Sequence, residues 1–426
     1  MTNPKPFIYN CNSHPRKRNI LVISAMALGT LYYLVLPVIL SDYYYSKNFP
    51  LAKLISGYSD QLDKVSYFSI LVLYFLFFIL GFTSPRTKRH VYTHTKNSGI
   101  VFYVLISLLV IFQLYSYYAL RSYSFKGYAG INWNETNSAK SFLSGLNIIY
   151  TTLAVFFYTS NQTKNFRIIL LLLLANSVFL LGLGGRMFVL PAVLAFLYIA
   201  FLSTRNIILS KKVILIFMAV PAIASTILLI GLLRQGDNIN SDGLSFILLA
   251  EVFFTWIGAG SFIQYNSLPY FAFPKELITS ILAMIPSVIW PSKLEFISKF
   301  SSGFYYDNPV GATSIVYVML ANFGIVGSAF ACFILGSILK FLSNGSTKNA
   351  LRMSYFISIL SLMPFMFFRS NSTLFLNCAL SQAVIIPSAL LIISNKIENL
   401  LKAPKGRSLR ALRSLDHQTS SKAHKN

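Results

Sequence analysis

A chain of 426 residues that is 55% apolar and only 11% charged, with a mean hydropathy of +0.61, leaves no room for a soluble domain between its apolar runs. Its 36 Lys and Arg against 12 Asp and Glu give a net charge of +24, which in a soluble protein points to nucleic acid. Here the basic residues gather in alternate loops without interleaved aromatic platforms, so the charge reads as membrane topology and nucleic acid is set aside. Cys11, Cys332 and Cys378 have no C-x-x-C spacing and imply neither a disulfide frame nor a zinc site.

Apolar runs of roughly 20 residues predict an all-α, polytopic membrane protein with about twelve spans. They fall at 19–40, 65–83, 98–120, 141–160, 168–184, 187–203, 213–231, 244–262, 277–290, 311–341, 353–369 and 373–394. The first run, Asn19 to Leu40, is long for a signal peptide and lacks a small-residue cleavage site, so it is expected to be retained. Glu251 interrupts one late run and Pro286 another. If these two are re-entrant, the count falls to about ten and every other span keeps its orientation. Basic clusters at Arg16-Lys-Arg18, Arg86 to Lys96, Arg205 to Lys212 and Lys340 to Arg352 mark cytoplasmic loops. The chain then divides into a cytoplasmic segment (1–18), a membrane domain (19–394) and a basic tail (395–426) that holds the C-terminus inside.

The opposite loops face outward and carry most of the aromatic and polar turns, including Tyr305 and Tyr306. Such rings anchor helices at the interface, and near a basic cluster they also suit stacking on sugar faces. At Leu181-Gly-Leu-Gly-Gly-Arg186 the glycines mark the return of the chain at the outer face, with Arg186 the only charge between 168 and 203. A guanidinium near the hydrocarbon is costly enough to be a functional candidate.

All five histidines, His14, His90, His94, His417 and His424, fall on the cytoplasmic side. An outward-facing site therefore has only carboxylates as general bases. Asp307, in Tyr305-Tyr-Asp-Asn308, and Glu251 are the catalytic candidates, Glu251 also reading as a buried partner for an Arg. Asp42 on the first outer loop is a further, isolated carboxylate. No D-x-D, H-E-x-x-H, nucleophile elbow or Walker loop occurs, so neither a metal nor another cofactor is expected. Four cations stand at outer helix ends: Arg186, Arg234, Lys293 and Arg369. Guanidinium forks match phosphate oxygens and an ammonium adds a point charge, so together they suit one polyanion and would stabilise a diphosphate leaving group.

The stretch Gly311-Ala-Thr-Ser-Ile-Val-Tyr continuing to Asn322-Phe-Gly-Ile-Val-Gly327, preceded by Ile285-Pro-Ser-Val-Ile-Trp-Pro-Ser-Lys293, resembles the Asn-Phe-Gly block and the Pro…Trp-Pro-x-Lys stretch of Wzy-type O-antigen polymerases. Arg186, Arg234 and Arg369 stand where that family places periplasmic basic residues. The resemblance runs from Leu181 to the last span, while Met1 to Phe166 agrees in topology alone. The carboxylate that many members carry just before Asn-Phe-Gly is replaced here by Val316-Tyr-Val-Met-Leu-Ala321.

The resemblance implies a metal-independent inner-membrane glycosyltransferase of the GT-C-like type. Its donor would be the polysaccharide on undecaprenyl pyrophosphate, and its acceptor a lipid-linked repeat unit. A chain-length regulator and a flippase would be partners. In this reading Arg186, Arg234 and Arg369 hold the pyrophosphate, Lys293 assists phosphate or sugar, Tyr305 and Tyr306 contact sugar, and Asp307 or Glu251 serves as base. Rival readings are a flippase for the same lipid, which should carry charges at mid-span, and an O-antigen ligase, which usually has a large outer loop with a histidine.

Overall fold

The computed structural model describes residues 15–84, 99–124, 133–203, 241–285, 289–298, 303–345 and 349–402. These are helical, without a strand among the described residues. Nine stretches among them are long and apolar enough to cross a bilayer, so the polytopic all-α expectation holds. Backbone groups in hydrocarbon must bond within their own segment, and helices satisfy that demand.

In chain order the helices are α1 (Pro15–Thr30), a π turn (Leu31–Val35), α2 (Leu36–Ser46), α3 (Ala52–Gln61), α4 (Lys64–Thr83), α5 (Ile100–Leu120), α6 (Trp133–Thr159), α7 (Thr163–Gly182) and α8 (Arg186–Ser203). After the predicted span 213–231, which lies outside the described residues, come α9 (Ser241–Tyr265), α10 (Lys275–Ala283) and α11 (Lys293–Ser298). The long α12 (Ile315–Gly345) follows, then α13 (Ala350–Leu362) with a π turn (Met363–Phe367), α14 (Ser372–Leu376), a π stretch (Asn377–Ile385) and α15 (Ile386–Lys402).

Of the two late runs left open between spanning and re-entrant, 277–290 holds α10, a helix of 9 residues, about 14 Å long against about 30 Å of hydrocarbon. Glu251, by contrast, does not break its helix, and α9 runs through it for 25 residues.

The chain divides into two compact units, Met1–Thr93 with Leu114–Pro387, and His94–Gln113 with Ser388–Asn426. In the smaller one, buried Glu398 lies against Gly99, where the N-terminus of α5 favours a carboxylate.

In the larger unit α4 and α12 pack with their backbones nearly touching. A Cβ on Gly81 would land on the Phe333 carbonyl, and one on Gly336 on the Phe78 carbonyl. Small residues at such a crossing let two helices gain dispersion contacts that lipid cannot match. Asp63 starts α4 by accepting from Val65 N–H at 3.1 Å. The most enclosed helix is α6, whose apolar face is buried along Leu143, Leu146, Tyr150, Leu153 and Phe157. It packs on α7, α8 and α13.

Candidate functional site

The turn between α7 and α8 is a Schellman motif. Gly185 N–H bonds the Leu180 carbonyl at 2.7 Å and Gly184 N–H the Leu181 carbonyl at 3.0 Å, with Gly184 at φ 74°. The motif ends one helix and sets Arg186 as the first residue of the next. Below it, three buried polar side chains tie α6, α7 and α8 together. Asn147 Nδ2 donates to the Phe188 carbonyl at 2.8 Å, while its Oδ1 accepts from Asn176 Nδ2 at 3.1 Å and Ser177 Oγ at 3.0 Å. With every member bonded, the network stiffens the first turn of α8 and with it the Arg186 backbone.

Arg369 comes from the turn after the Met363–Phe367 π segment. Its carbonyl accepts from Thr313 N–H at 2.9 Å, which fastens that turn to the chain entering α12. The two arginines meet at Glu251 of α9. Arg186 Nη2 stands 3.3 Å from Glu251 Oε2, and Arg369 Nε 3.2 Å from Oε1. The Arg369 Nε–H is not aligned for a hydrogen bond, so that contact is charge attraction. Arg369 Nη1 also reaches Met187 Sδ at 3.0 Å. Tyr33, fully buried in the π turn of the first span, donates to Glu251 Oε1 at 3.0 Å and stacks parallel to Phe368. Glu251 is thus a counter-ion with both oxygens engaged. The guanidinium side chains remain 27% and 23% exposed, open to a solvent-borne anion.

Among the described residues, Lys293 and Asp307 have other partners than this pair. Lys293 is buried, and its Nζ donates to the Ala283 carbonyl at 3.0 Å and the Ile285 carbonyl at 2.5 Å. It caps the C-terminal end of α10, where carbonyls lack intrahelical partners. Arg234 lies outside the described residues.

Asp307 sits on the loop before α12. Its N–H donates to Ser261 Oγ at 2.8 Å, and its carbonyl lies against Gly258. Gly258 is seven residues beyond Glu251, on the same face of α9 and about 10 Å along it. Asp307 Oδ2 accepts from Tyr58 of α3 and Oδ1 from Tyr305 at 2.9 Å. Burial and this carboxylate hold the Tyr58 hydroxyl above the usual phenol range, and the bond to Asp307 does the same for Tyr305. Both therefore stay protonated donors. The edge of Tyr265 meets Tyr305 at 5.4 Å and Tyr58 at 6.3 Å, and Tyr265 and Tyr305 are exposed. Asn266 brackets the Tyr305 backbone with bonds of 2.6 and 3.1 Å. Tyr306 turns inward and stacks on Tyr317 of α12 at 3.7 Å, and Tyr317 donates to Glu276 of α10.

The Asn322-Phe-Gly324 stretch builds the frame for these loops. Gly324 breaks α12 with φ 72° and ψ −175°, angles open almost only to glycine. Into the break docks segment 269–272: Ala272 N–H bonds the Phe323 carbonyl at 3.1 Å, Ile325 N–H the Pro269 carbonyl at 3.0 Å, and Val326 N–H the Tyr270 carbonyl at 3.0 Å. Asn322 Oδ1 accepts from Leu277 N–H at 2.9 Å and so holds the first turn of α10.

Sequence reading overlooks Tyr33, Tyr58, Asn147, Asn176, Glu276 and Tyr317. For Asn147 and Asn176 the available signal is a polar side chain within an apolar span. For Tyr33 it is the Tyr32-Tyr33 pair, and for Glu276 no signal separates it from any first-turn acid.

The chain matches the family model of the O-antigen polysaccharide polymerase Wzy over residues 50–399. No curated protein and no solved structure gives a significant match. The matched region takes in α3 through most of α15, with both arginines, their shared carboxylate and the broken α12 inside it, and the chain belongs to the O-antigen polysaccharide polymerase Wzy family.

Proposed function

We propose that the chain transfers the growing polysaccharide from undecaprenyl diphosphate to a lipid-linked repeat unit at the periplasmic face of the inner membrane, without a metal ion. Arg186 and Arg369 hold the donor diphosphate in this reading. The observation that carries it is their convergence: two guanidiniums from distant parts of the chain, each partly exposed, share Glu251, their one counter-ion among the described residues. That leaves one net positive charge and unused N–H donors where a leaving diphosphate gains charge. Family membership supports a glycosyltransferase-type polymerase.

Asp307 with Tyr305 and Tyr265 is the proposed sugar-contact surface, an exposed aromatic platform beside an acceptor-rich carboxylate. Tyr306, stacked inward, shapes that wall. Lys293 serves by positioning α10, and Arg234 joins the cationic set on its sequence position.

Single Ala substitutions at Arg186, Arg234, Lys293 and Arg369 test the reading through the lipopolysaccharide ladder. Loss of polymerisation leaves core bearing one repeat unit, whereas loss of a flippase leaves core bearing none. Long chains at normal protein level from both Arg186→Ala and Arg369→Ala would rule out the diphosphate clamp.

A further inference from the structure

Among the described residues, Glu251, Asp307 and Glu276 lie on or against the elements that carry or fasten Arg186 and Arg369. Glu251 has both oxygens in contact with guanidinium groups, and Asp307 has both accepting from tyrosines. Glu276 differs. Its Oε1 accepts from Tyr317, while Oε2 has no hydrogen bond and no ion pair among the described residues. No Lys or Arg among them neutralises it.

This carboxylate is held in place. Tyr317 is 1% exposed and clamped by Tyr306 at 3.7 Å, so the hydroxyl that grips Oε1 has little freedom. The backbone of Glu276 is fixed from two sides: Asn322 Oδ1 accepts from the following N–H, and Ser280 Oγ donates to the Glu276 carbonyl at 2.5 Å. Ser372 Oγ lies 2.7 Å from Ser280 Oγ and 3.4 Å from that same carbonyl. Ser372 follows Arg369 by one turn of chain, and Thr313, which bonds the Arg369 carbonyl, precedes Tyr317 by about one helical turn. Glu276 is therefore tethered through both its backbone and its side chain to the turn that presents Arg369, with one oxygen left open.

We propose that Glu276 is the general base of glycosyl transfer, taking the proton of the acceptor hydroxyl; this assignment rests on the polymerase reading above. As the acceptor oxygen bonds the anomeric carbon of the donor, its proton passes to Glu276 Oε2. The bond from that carbon to the diphosphate oxygen breaks, and the electron pair leaves with the lipid diphosphate toward Arg186 and Arg369. Water then takes the proton from Glu276.

The test uses the full chain in lipid nanodiscs, with lipid-linked repeat units extracted from a producing strain that lacks this chain. Glu276→Gln still offers Tyr317 an acceptor oxygen but cannot take a proton, so a merely structural role would survive the change. Turnover is expected to fall about 100-fold or more, with thermal stability and retention of the extracted lipid unchanged. Glu276→Asp should keep part of the activity, and added formate should restore turnover to Glu276→Ala. Glu276→Gln within about threefold of wild type would overturn the assignment and leave the clamp standing. Failure of the wild type to extend the extracted lipid would overturn both.

Discussion

Arg186 and Arg369 contact opposite oxygens of one carboxylate, at 3.3 and 3.2 Å, although they begin and end different pairs of helices. The shared counter-ion keeps two like charges side by side and fixes how the guanidiniums are presented.

Glu251→Ala removes the charge that both guanidiniums face. It is expected to lower stability by about 3 kcal/mol, the low end for a broken buried ion pair because both arginines keep some water. The double variant Glu251→Ala with Arg369→Ala should be less destabilised than the sum of the singles, with a coupling of about 1–3 kcal/mol. Thermal unfolding of the detergent-solubilised protein measures both. Additive effects would mean that the contact carries no energy.

Gly324→Ala puts a Cβ 2.6 Å from the Pro269 carbonyl oxygen and 2.7 Å from Phe271 N, at a φ of 72°. The backbone strain alone costs about 1–3 kcal/mol, and the overlap pushes segment 269–272 out of the break in α12. Lower stability should accompany a collapse of chain length on the lipopolysaccharide gel. Wild-type behaviour in both would show that this segment docks elsewhere.

Lys293→Met removes two charge-assisted hydrogen bonds from the end of α10, expected to cost about 1.5–3 kcal/mol. Activity should fall only in proportion to the folded fraction, and retention of lipid diphosphate per folded molecule should equal wild type. A folded variant that no longer retains the lipid would instead place the ammonium on the phosphate.

Asp307→Ala strands the hydroxyl of Tyr58, whose side chain is almost fully buried, and is expected to destabilise by about 1–3 kcal/mol. Tyr305→Phe removes one bond at an exposed ring and should leave stability unchanged, because the ring keeps its contact with Tyr265. Tyr305→Ala takes that contact away, and a rise in the acceptor concentration needed for half-maximal turnover is the expected result. Equal turnover curves for Ala and Phe would remove this ring from the acceptor site.

The membrane architecture was legible from residue order alone. Length and apolarity decide a spanning helix, since hydrocarbon forces each segment to satisfy its own backbone. The glycine tip before Arg186 and the short turn at Arg369 could be read for the same local reason, as could Glu251 as an arginine partner, an isolated acid in an apolar run. At 277–290 local composition left spanning and re-entrant readings open, and the run holds a nine-residue helix. Which cations meet is a different kind of question. Arg186 and Lys293 look alike as basic residues at helix ends, yet one faces Glu251 and the other closes the carbonyls of α10. Tyr33, Asn322 and Glu276 likewise take their meaning from partners far along the chain. No periodicity encodes such pairings: they arise when packed helices bring distant side chains within a few ångströms, so tertiary structure alone decided the site.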